Sequence, residues 1–300
     1  MRYRLGLRKG LLQRNIVRSG RPMVLCGAMR APKLRSACAA FGIAAALSVG
    51  GALAGSAPRG VVIQPLGAFH AGEASARHGE RWWVLWRGAD ARANNRAARL
   101  ASARVRVARV HDPIADAAGD ATGEDVSVPA PANGREIPLM LLRGPGLNAG
   151  PVAMAEVEDR SADGLPAYAL RLGGREFHLR TSCRPNAADK GRESRSVEVL
   201  RADTERADCA IEWIDGERRQ VLIEMQGTRT TGDGAAQWML GDDATPHLVF
   251  AGDLDRDGRP DLILETSDHY NLSRPTLFLS SGAAAGEGLR RESEYRAVGC

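Results

Sequence analysis

Two short turns, each set between runs in which every second residue is apolar, constrain this chain more than any other feature of it. In the first, Leu170, Leu172, Phe177 and Leu179 alternate with other residues on either side of Gly173-Gly174. Two glycines supply the left-handed positions of a two-residue turn whose twist suits antiparallel strands. Tyr168 to Thr181 is therefore predicted to be a β-hairpin with those four side chains on one face. In the second, Ile211 and Trp213 lead into Asp215-Gly216, and Val221, Ile223 and Met225 alternate on the return. Asp-Gly is expected to fill both left-handed positions of a type I′ turn there.

The same period of two marks Trp82 to Trp86, Ala103 to Val110, Leu139 to Leu142 and Thr276 to Leu279 as further strands. Asp112 to Arg135, rich in Ala, Gly, Asp and Pro, and the polar stretch Asn186 to Ser196 read as exposed loops. One helix candidate, Ala89 to Ala101, rests on arginines spaced through Ala-rich sequence. No internal period of about 20 to 50 residues is present. The expected fold is mainly β, a single antiparallel sandwich or partly closed sheet over residues 58–300. The alternatives are an α+β arrangement, or two small β domains divided near Gly144 to Ala153.

A formal charge of +5 suggests nucleic acid until it is divided along the chain. Residues 1–57 carry ten of the 41 basic residues and no acid, which leaves 31 basic against 36 acidic residues, or −5, for the rest. The electrostatic case for DNA or RNA binding therefore fails. Residues 1–54 read as a signal peptide: Arg30, Lys33 and Arg35 precede an apolar stretch from Ala37 to Gly55, and Ala52-Leu53-Ala54 offers a cleavage site. Counted from Met29 the basic region has ordinary size, so translation is expected to start there. An uncleaved anchor is the competing reading, since the apolar stretch just reaches spanning length. The mature chain is expected in the periplasm or outside the cell, with no stable membrane span after cleavage.

Three cysteines follow the leader, Cys183, Cys209 and Cys300. One disulfide is expected in an oxidising compartment, with Cys183–Cys209 the favoured pairing among three that are formally possible. No metal-ligand spacing accompanies these thiols, which argues against zinc.

Chemistry is concentrated in Phe250 to Leu264. Counted from Asp253, carboxylates stand at positions 1, 3, 5 and 9 (Asp253, Asp255, Asp257, Asp261), with Gly258 at position 6 and the carbonyl of Arg259 at position 7. Odd spacing with a glycine for the sharp turn lets a short loop wrap acidic side chains around one hard cation, and an all-oxygen shell suits Ca²⁺. An EF-hand is excluded, because position 12 is Leu264 rather than a bidentate Glu and Pro260 opposes a following helix. Apolar flanks His247 to Phe250 and Leu262 to Leu264 place the loop between two strands.

Residues 250–264 resemble the calcium loop of FG-GAP and VCBS-type repeats, D-x-D-x-D-G-x-x-D between strands. The resemblance implies Ca²⁺ held by the side chains of Asp253, Asp255, Asp257 and Asp261 and by the Arg259 carbonyl. Those families usually build propellers of secreted or surface proteins, but a single copy is present here. The ion is expected to be structural, since a loop filled by protein ligands leaves no open position for chemistry.

Weaker constellations have plainer readings. Trp82, Trp83 and Trp86 suit a sugar platform but are expected in the core. His111-Asp112 and Asp268-His269, His178 near Glu176, and Ser273, Ser280 or Ser281 suggest a Ser/His/Asp set, yet no G-x-S-x-G elbow supports one. The expected function is an exported, non-catalytic, calcium-stabilised binding or interaction module for a protein or glycan. A calcium-dependent secreted hydrolase or lyase is the alternative.

Overall fold

The alternation of apolar and polar residues resolves into twenty strands and, among the described residues, no helix. The computed structural model describes residues 60–88, 97–131, 134–186, 203–231, 236–244 and 246–298. The leader, the Ala89 to Arg96 part of the helix candidate, the Asn186 to Ser196 loop beyond its first residue, and Cys300 lie outside them. No helix among the described residues is long and apolar enough to cross a membrane.

The first ten strands are β1 (Val62–Gln64), β2 (Gly67–Phe69), β3 (Arg81–Gly88), β4 (Ala98–Arg104), β5 (Arg106–Val110), β6 (Gly123–Ser127), β7 (Glu136–Arg143), β8 (Gly150–Met154), β9 (Glu156–Asp159) and β10 (Ala167–Leu172). They are followed by β11 (Arg175–Pro185), β12 (Asp203–Asp215), β13 (Arg218–Thr231), β14 (Gln237–Leu240), β15 (His247–Asp253), β16 (Asp261–Glu265), β17 (Leu272–Ser273), β18 (Pro275–Leu279), β19 (Arg290–Glu294) and β20 (Ala297–Val298). Nine of them form a nearly closed antiparallel sheet in the order β1-β7-β3-β4-β8-β15-β16-β18-β19. Between its two end strands, the Val61 N–H donates to Glu292 Oε1 at 2.6 Å. A second, six-stranded sheet runs β14-β13-β12-β11-β10-β9 as a half-barrel. A three-stranded sheet, β2-β6-β5, and the β17-β20 pair complete the fold.

Burial explains this arrangement. Leu170, Phe177, Leu179, Ile211 and Trp213 of the half-barrel pack with Leu262, Leu264 and Phe278 of the larger sheet. The other face of the larger sheet buries Leu85, Leu100, Leu142, Ile263 and Leu277. β16 and β18 therefore sit between two cores, which is why Asp261 to Leu264 of β16 and every residue of β18 are buried, whichever face they point to. Each large side chain buried in this way contributes about 1.5–3 kcal/mol. β8 joins β4 on one side and β15 on the other, so Gly150 to Met154 runs within one continuous sheet.

The first hairpin has the anticipated form, with Leu172 opposite Arg175 and both Gly173 (φ 58°) and Gly174 (φ 79°) left-handed. The second differs in register. Asp215 pairs with Arg218, the turn is Gly216-Glu217, and only Gly216 has a positive φ, the signature of type II′ rather than I′. A bulge between Ile211 and Glu212 leaves Leu222 as an extra residue, so Val221 turns outward and is 48% exposed while Ile223 and Met225 stay buried.

Three further expectations change. Ala98 to Ala101 belongs to β4, not to a helix: Ala98 and Leu100 alternate into the core, and packing outweighs the helical propensity of alanine. β6 lies inside the supposed Asp112 to Arg135 loop, anchored through the buried side chain of Val126. The Ala103 to Val110 strand is broken at Val105 into β4 and β5. The tryptophans behave as expected, with Trp82 and Trp86 buried and Trp83 half-buried against the core. Cys183 and Cys209 are cross-strand partners on β11 and β12 and form a disulfide, S–S 2.01 Å.

Candidate metal centre

β15 ends on Asp253 and β16 begins on Asp261, so the seven residues between them form a hairpin loop. The loop folds through its own aspartates. Asp253 Oδ1 accepts the Asp257 N–H at 3.0 Å and its Oδ2 accepts the Gly258 N–H at 3.0 Å. Asp255 Oδ1 also accepts from Asp257 N at 3.3 Å, and Asp257 Oδ1 accepts from Arg259 N at 2.8 Å. Short polar side chains that bond the backbone two to five residues on are what bend such a loop without regular structure. The bend also needs left-handed backbone at Arg256 (φ 68°) and Gly258 (φ 81°), and only the latter is met by a residue without a Cβ.

Asp261 closes the loop from below. Its Oδ2 accepts the Leu254 N–H at 2.7 Å, and its Oδ1 accepts the Ser280 N–H at 2.8 Å and the Ser280 hydroxyl at 3.1 Å. That hydroxyl also lies 2.8 Å from Asp257 Oδ2, and its single proton serves one carboxylate at a time. The neighbouring Ser281 hydroxyl donates to Asp255 Oδ2. Gly252 permits the loop's close seat on β8, since a Cβ there would stand 2.7 Å from the Ala153 carbonyl oxygen.

Of the five residues expected at the site, the fold brings Asp253, Asp255 and Asp261 together, each with an oxygen within 4.8 Å of the others. Oxygens bound to one Ca²⁺ at about 2.3–2.6 Å stand at most about 5.2 Å apart, so the trio fits a single ion of that size. Asp257 stands outside the trio and faces Ser280. Arg259 enters through its N–H on Asp257 and through its guanidinium, which donates to the Gly288 carbonyl at 3.3 Å. The loop's other arginine, Arg256, donates to the Ala149 carbonyl at 2.6 Å. Neither guanidinium neutralises the trio. Burial, with Asp257 and Asp255 adding like charge, raises the Asp253 carboxyl above its usual range against the backbone N–H groups that hold it down. Burial, reinforced by the Asp255 charge, pushes Asp261 up to about 7. Such crowding is what a divalent cation relieves.

Among the described residues, none of the candidate serines is bonded to a histidine ring. His269 accepts the Asn271 N–H on Nδ1 at 3.0 Å, and its Nε2 lies 3.1 Å from Asp242 Oδ2, so both ring nitrogens are engaged. Ser273 donates to Glu265, while Ser280 and Ser281 serve the loop aspartates. Asp112 pairs with His70 Nδ1 at 2.5 Å rather than with its neighbour His111, whose Nδ1 lies 3.2 Å from the Asp120 carbonyl oxygen. His178 Nε2 stands 3.4 Å from Glu176 Oε1.

Ser280 and Ser281 are the functional residues that sequence reasoning missed in this role. The available signal was the strand pairing: with Leu262 opposite Phe278, the residues just past β18 fall beside Asp261. The chain matches no protein-family model, no curated protein sequence and no solved structure.

Proposed function

We propose that the chain is an exported, non-catalytic binding module whose larger sheet is pinned by a structural Ca²⁺ ion at the β15–β16 loop. The observation that carries this reading is the convergence of Asp253, Asp255 and Asp261, with oxygens within 4.8 Å and two of the three side chains buried. Those three would hold the ion. Asp257 supports them through Ser280, and the Arg259 carbonyl is the candidate backbone ligand. A hard divalent cation supplies the positive charge that neither loop arginine delivers. Its consequence is mechanical: β15, β16 and the segment after β18 meet at the trio, and β15 and β16 each line both cores. The leader's residue pattern supports export, and the service of Ser280 and Ser281 to the loop aspartates, with no G-x-S-x-G elbow in the sequence, supports a non-catalytic task.

The test is thermal melting of the purified chain in calcium and in EGTA. A ligand that binds only the folded state at 100 times its Kd adds about 2.7 kcal/mol, so the melting temperature rises with calcium concentration. Identical melts in calcium and EGTA, with no calcium bound by calorimetry, would remove the reading.

A further inference from the structure

The connection between β18 and β19, residues 280–289, is tied at one end to the metal loop and at the other to the half-barrel. At its start, the Ser280 and Ser281 hydroxyls serve Asp257, Asp261 and Asp255, so two of the three trio aspartates are also its anchors. At its end, Gln220 of β13 grips it with three hydrogen bonds. Gln220 Oε1 accepts the Gly288 N–H at 2.8 Å and the Leu289 N–H at 3.0 Å, and Nε2 donates to the Leu289 carbonyl at 2.6 Å. Arg218 adds a bond to the Glu287 carbonyl at 3.4 Å. A further tie runs straight across: Arg259, whose carbonyl is the candidate backbone ligand, donates through its guanidinium to the Gly288 carbonyl at 3.3 Å.

Between these ends the segment is lightly held. Ala284 to Glu287 are exposed, bridged by the Glu287 N–H to the Ala284 carbonyl at 2.9 Å and the Ala284 N–H to the Glu287 carboxylate at 3.4 Å. Segments of this kind open at the low end of a protein's stability range. Under the far end lies Trp213, buried and stacked on Phe177 with ring centroids 5.1 Å apart. Gly288 presses on the indole so closely that a Cβ there would stand 2.5 Å from Nε1. The Nε1–H is buried with no hydrogen-bond partner among the described residues. Seating the segment therefore takes an indole N–H out of water without replacing its bond, a cost that lifting the segment returns. Against that cost stand the Gln220 bonds, the burial of Leu289 beside Trp213 and the ties to the metal loop. Opposed contributions of this kind are what a two-state element requires.

We infer that residues 280–289 form a calcium-controlled strap, which seats on Gln220 and Trp213 when the β15–β16 loop holds its ion and lifts from the β12–β13 hairpin when the loop does not. The coupling runs through the anchors already named. With Asp253, Asp255 and Asp261 drawn to one centre, the oxygens on which Ser280 and Ser281 hang are fixed. With its carbonyl engaged, Arg259 presents its guanidinium to Gly288 from a fixed backbone. A near end ordered in advance lowers the entropy lost on seating the far end, so each event favours the other. Lifting opens the Trp213–Phe177 end of the half-barrel to water. The inference rests on the calcium reading and deepens it, giving the ion control of a surface on the half-barrel besides its hold on the larger sheet.

The experiment measures calcium affinity by calorimetry, and backbone and indole N–H groups by NMR, on the purified chain in calcium and in EGTA. Gln220→Ala removes the far anchor without touching the metal loop. Gly288→Ala keeps every hydrogen-bonding group and drives a methyl into Trp213, so that either variant carries the test if the other does not fold. Gln226→Ala is the control, a glutamine on the same strand whose amide bonds Asp208 instead of the strap. In the parent, calcium is expected to slow exchange of the Gly288 and Leu289 N–H groups about tenfold or more and to shift the Trp213 indole resonance. Coupling between sites is reciprocal, so Gln220→Ala and Gly288→Ala should each weaken calcium binding about fivefold or more, and Gln226→Ala less than about twofold. A Gln220 that served the fold alone would lower the melting temperature and leave the calcium Kd unchanged. Calcium bound with unaltered exchange at Gly288 and Leu289, a parental Kd in the strap variants, or equal weakening by Gln226→Ala overturns the inference and leaves the ion in place. No calcium bound by calorimetry removes the ion reading and the strap's control together.

Discussion

Asp112 and Asp261 are two buried carboxylates with matched backbone support and opposite electrostatics. Asp112 is 3% exposed and accepts the N–H groups of Ile114 and Ala115, while Asp261 is 0% exposed and accepts those of Leu254 and Ser280. His70 bonds Asp112 and, with those N–H groups, draws its carboxyl down to about 2. Asp261 is desolvated more deeply and has the Asp255 charge beside it, and it rises to about 7. Two N–H donors each do not decide the outcome. The depth of burial and the sign of the nearest charge do. Where the fold wants a buried carboxylate for itself it supplies a cation, and at the β15–β16 loop the chain supplies more carboxylates.

The largest effect that tests this contrast is at Asp261. Asp261→Ala leaves the Leu254 and Ser280 N–H groups buried without an acceptor and should cost about 3 kcal/mol in urea or thermal unfolding. Asp261→Asn keeps an acceptor, should fold with a smaller loss, and should lose most of the calcium-dependent rise in melting temperature. If Asp261→Asn responds to calcium as the parent does, the trio is not the ion's ligand set. His70→Gln, by contrast, should leave the calcium response intact, because that carboxylate's partner belongs to the chain.

Next comes pH dependence, in which the two carboxylates should act with opposite signs. His70 is raised above 6.5, chiefly by its hydrogen bond to Asp112. Its contribution is full below 6.5 and is lost as pH rises through the raised value. Asp112, lowered from 3.8 to about 2, contributes above 3.8 and loses that contribution as pH falls through about 2. The pair is therefore at full strength between those limits. Asp261, raised from 3.8 to about 7, acts the other way in calcium-free buffer: its ionisation lowers stability as pH climbs across that interval. Melts from pH 4 to 9 in EGTA should show a decline that His70→Gln reduces at the alkaline end and Asp261→Asn reduces at the acidic end. A decline unchanged by both substitutions would contradict the contrast.

What could be read from sequence follows from how local each feature is. The aspartate loop was legible because its turns, its glycine and its carboxylates lie within nine consecutive positions, Asp253 to Asp261. The Gly173-Gly174 hairpin was legible for the same reason. Ser280 and Ser281 were not, because they reach the loop through β18 pairing with β16, and their hydroxyls suggested catalysis instead. Strict alternation set Val221 in step with Ile223 and Met225 and has no means of announcing the bulge at Leu222, which reverses the facing of everything before it on β13. β6 escaped notice because Gly123-Glu124-Asp125-Val126-Ser127 holds one apolar side chain, and its neighbours β2 and β5 justify it only in three dimensions. His70 and Asp112 stand 42 residues apart, beyond any local pattern.

The smallest expected effect is also the one that separates folding from binding most cleanly. Asp255 contributes like charge to both Asp253 and Asp261, while its own bonds are to the Ser281 hydroxyl and a long 3.3 Å contact with Asp257 N. Asp255→Asn keeps one acceptor oxygen, offers the Ser281 hydroxyl an N–H to accept in place of the second, and removes one negative charge from the trio. In EGTA it should therefore raise the melting temperature slightly, by about 1–2 °C, corresponding to about 0.5 kcal/mol in a domain of this size. In calcium it should melt below the parent, because one charged ligand is gone. A crossing of the two proteins' melting temperatures as calcium is added is thus the signature of a loop that sacrifices stability for a cation. Parallel shifts, or a uniform loss in both buffers, would show Asp255 to be a structural side chain whose charge is incidental.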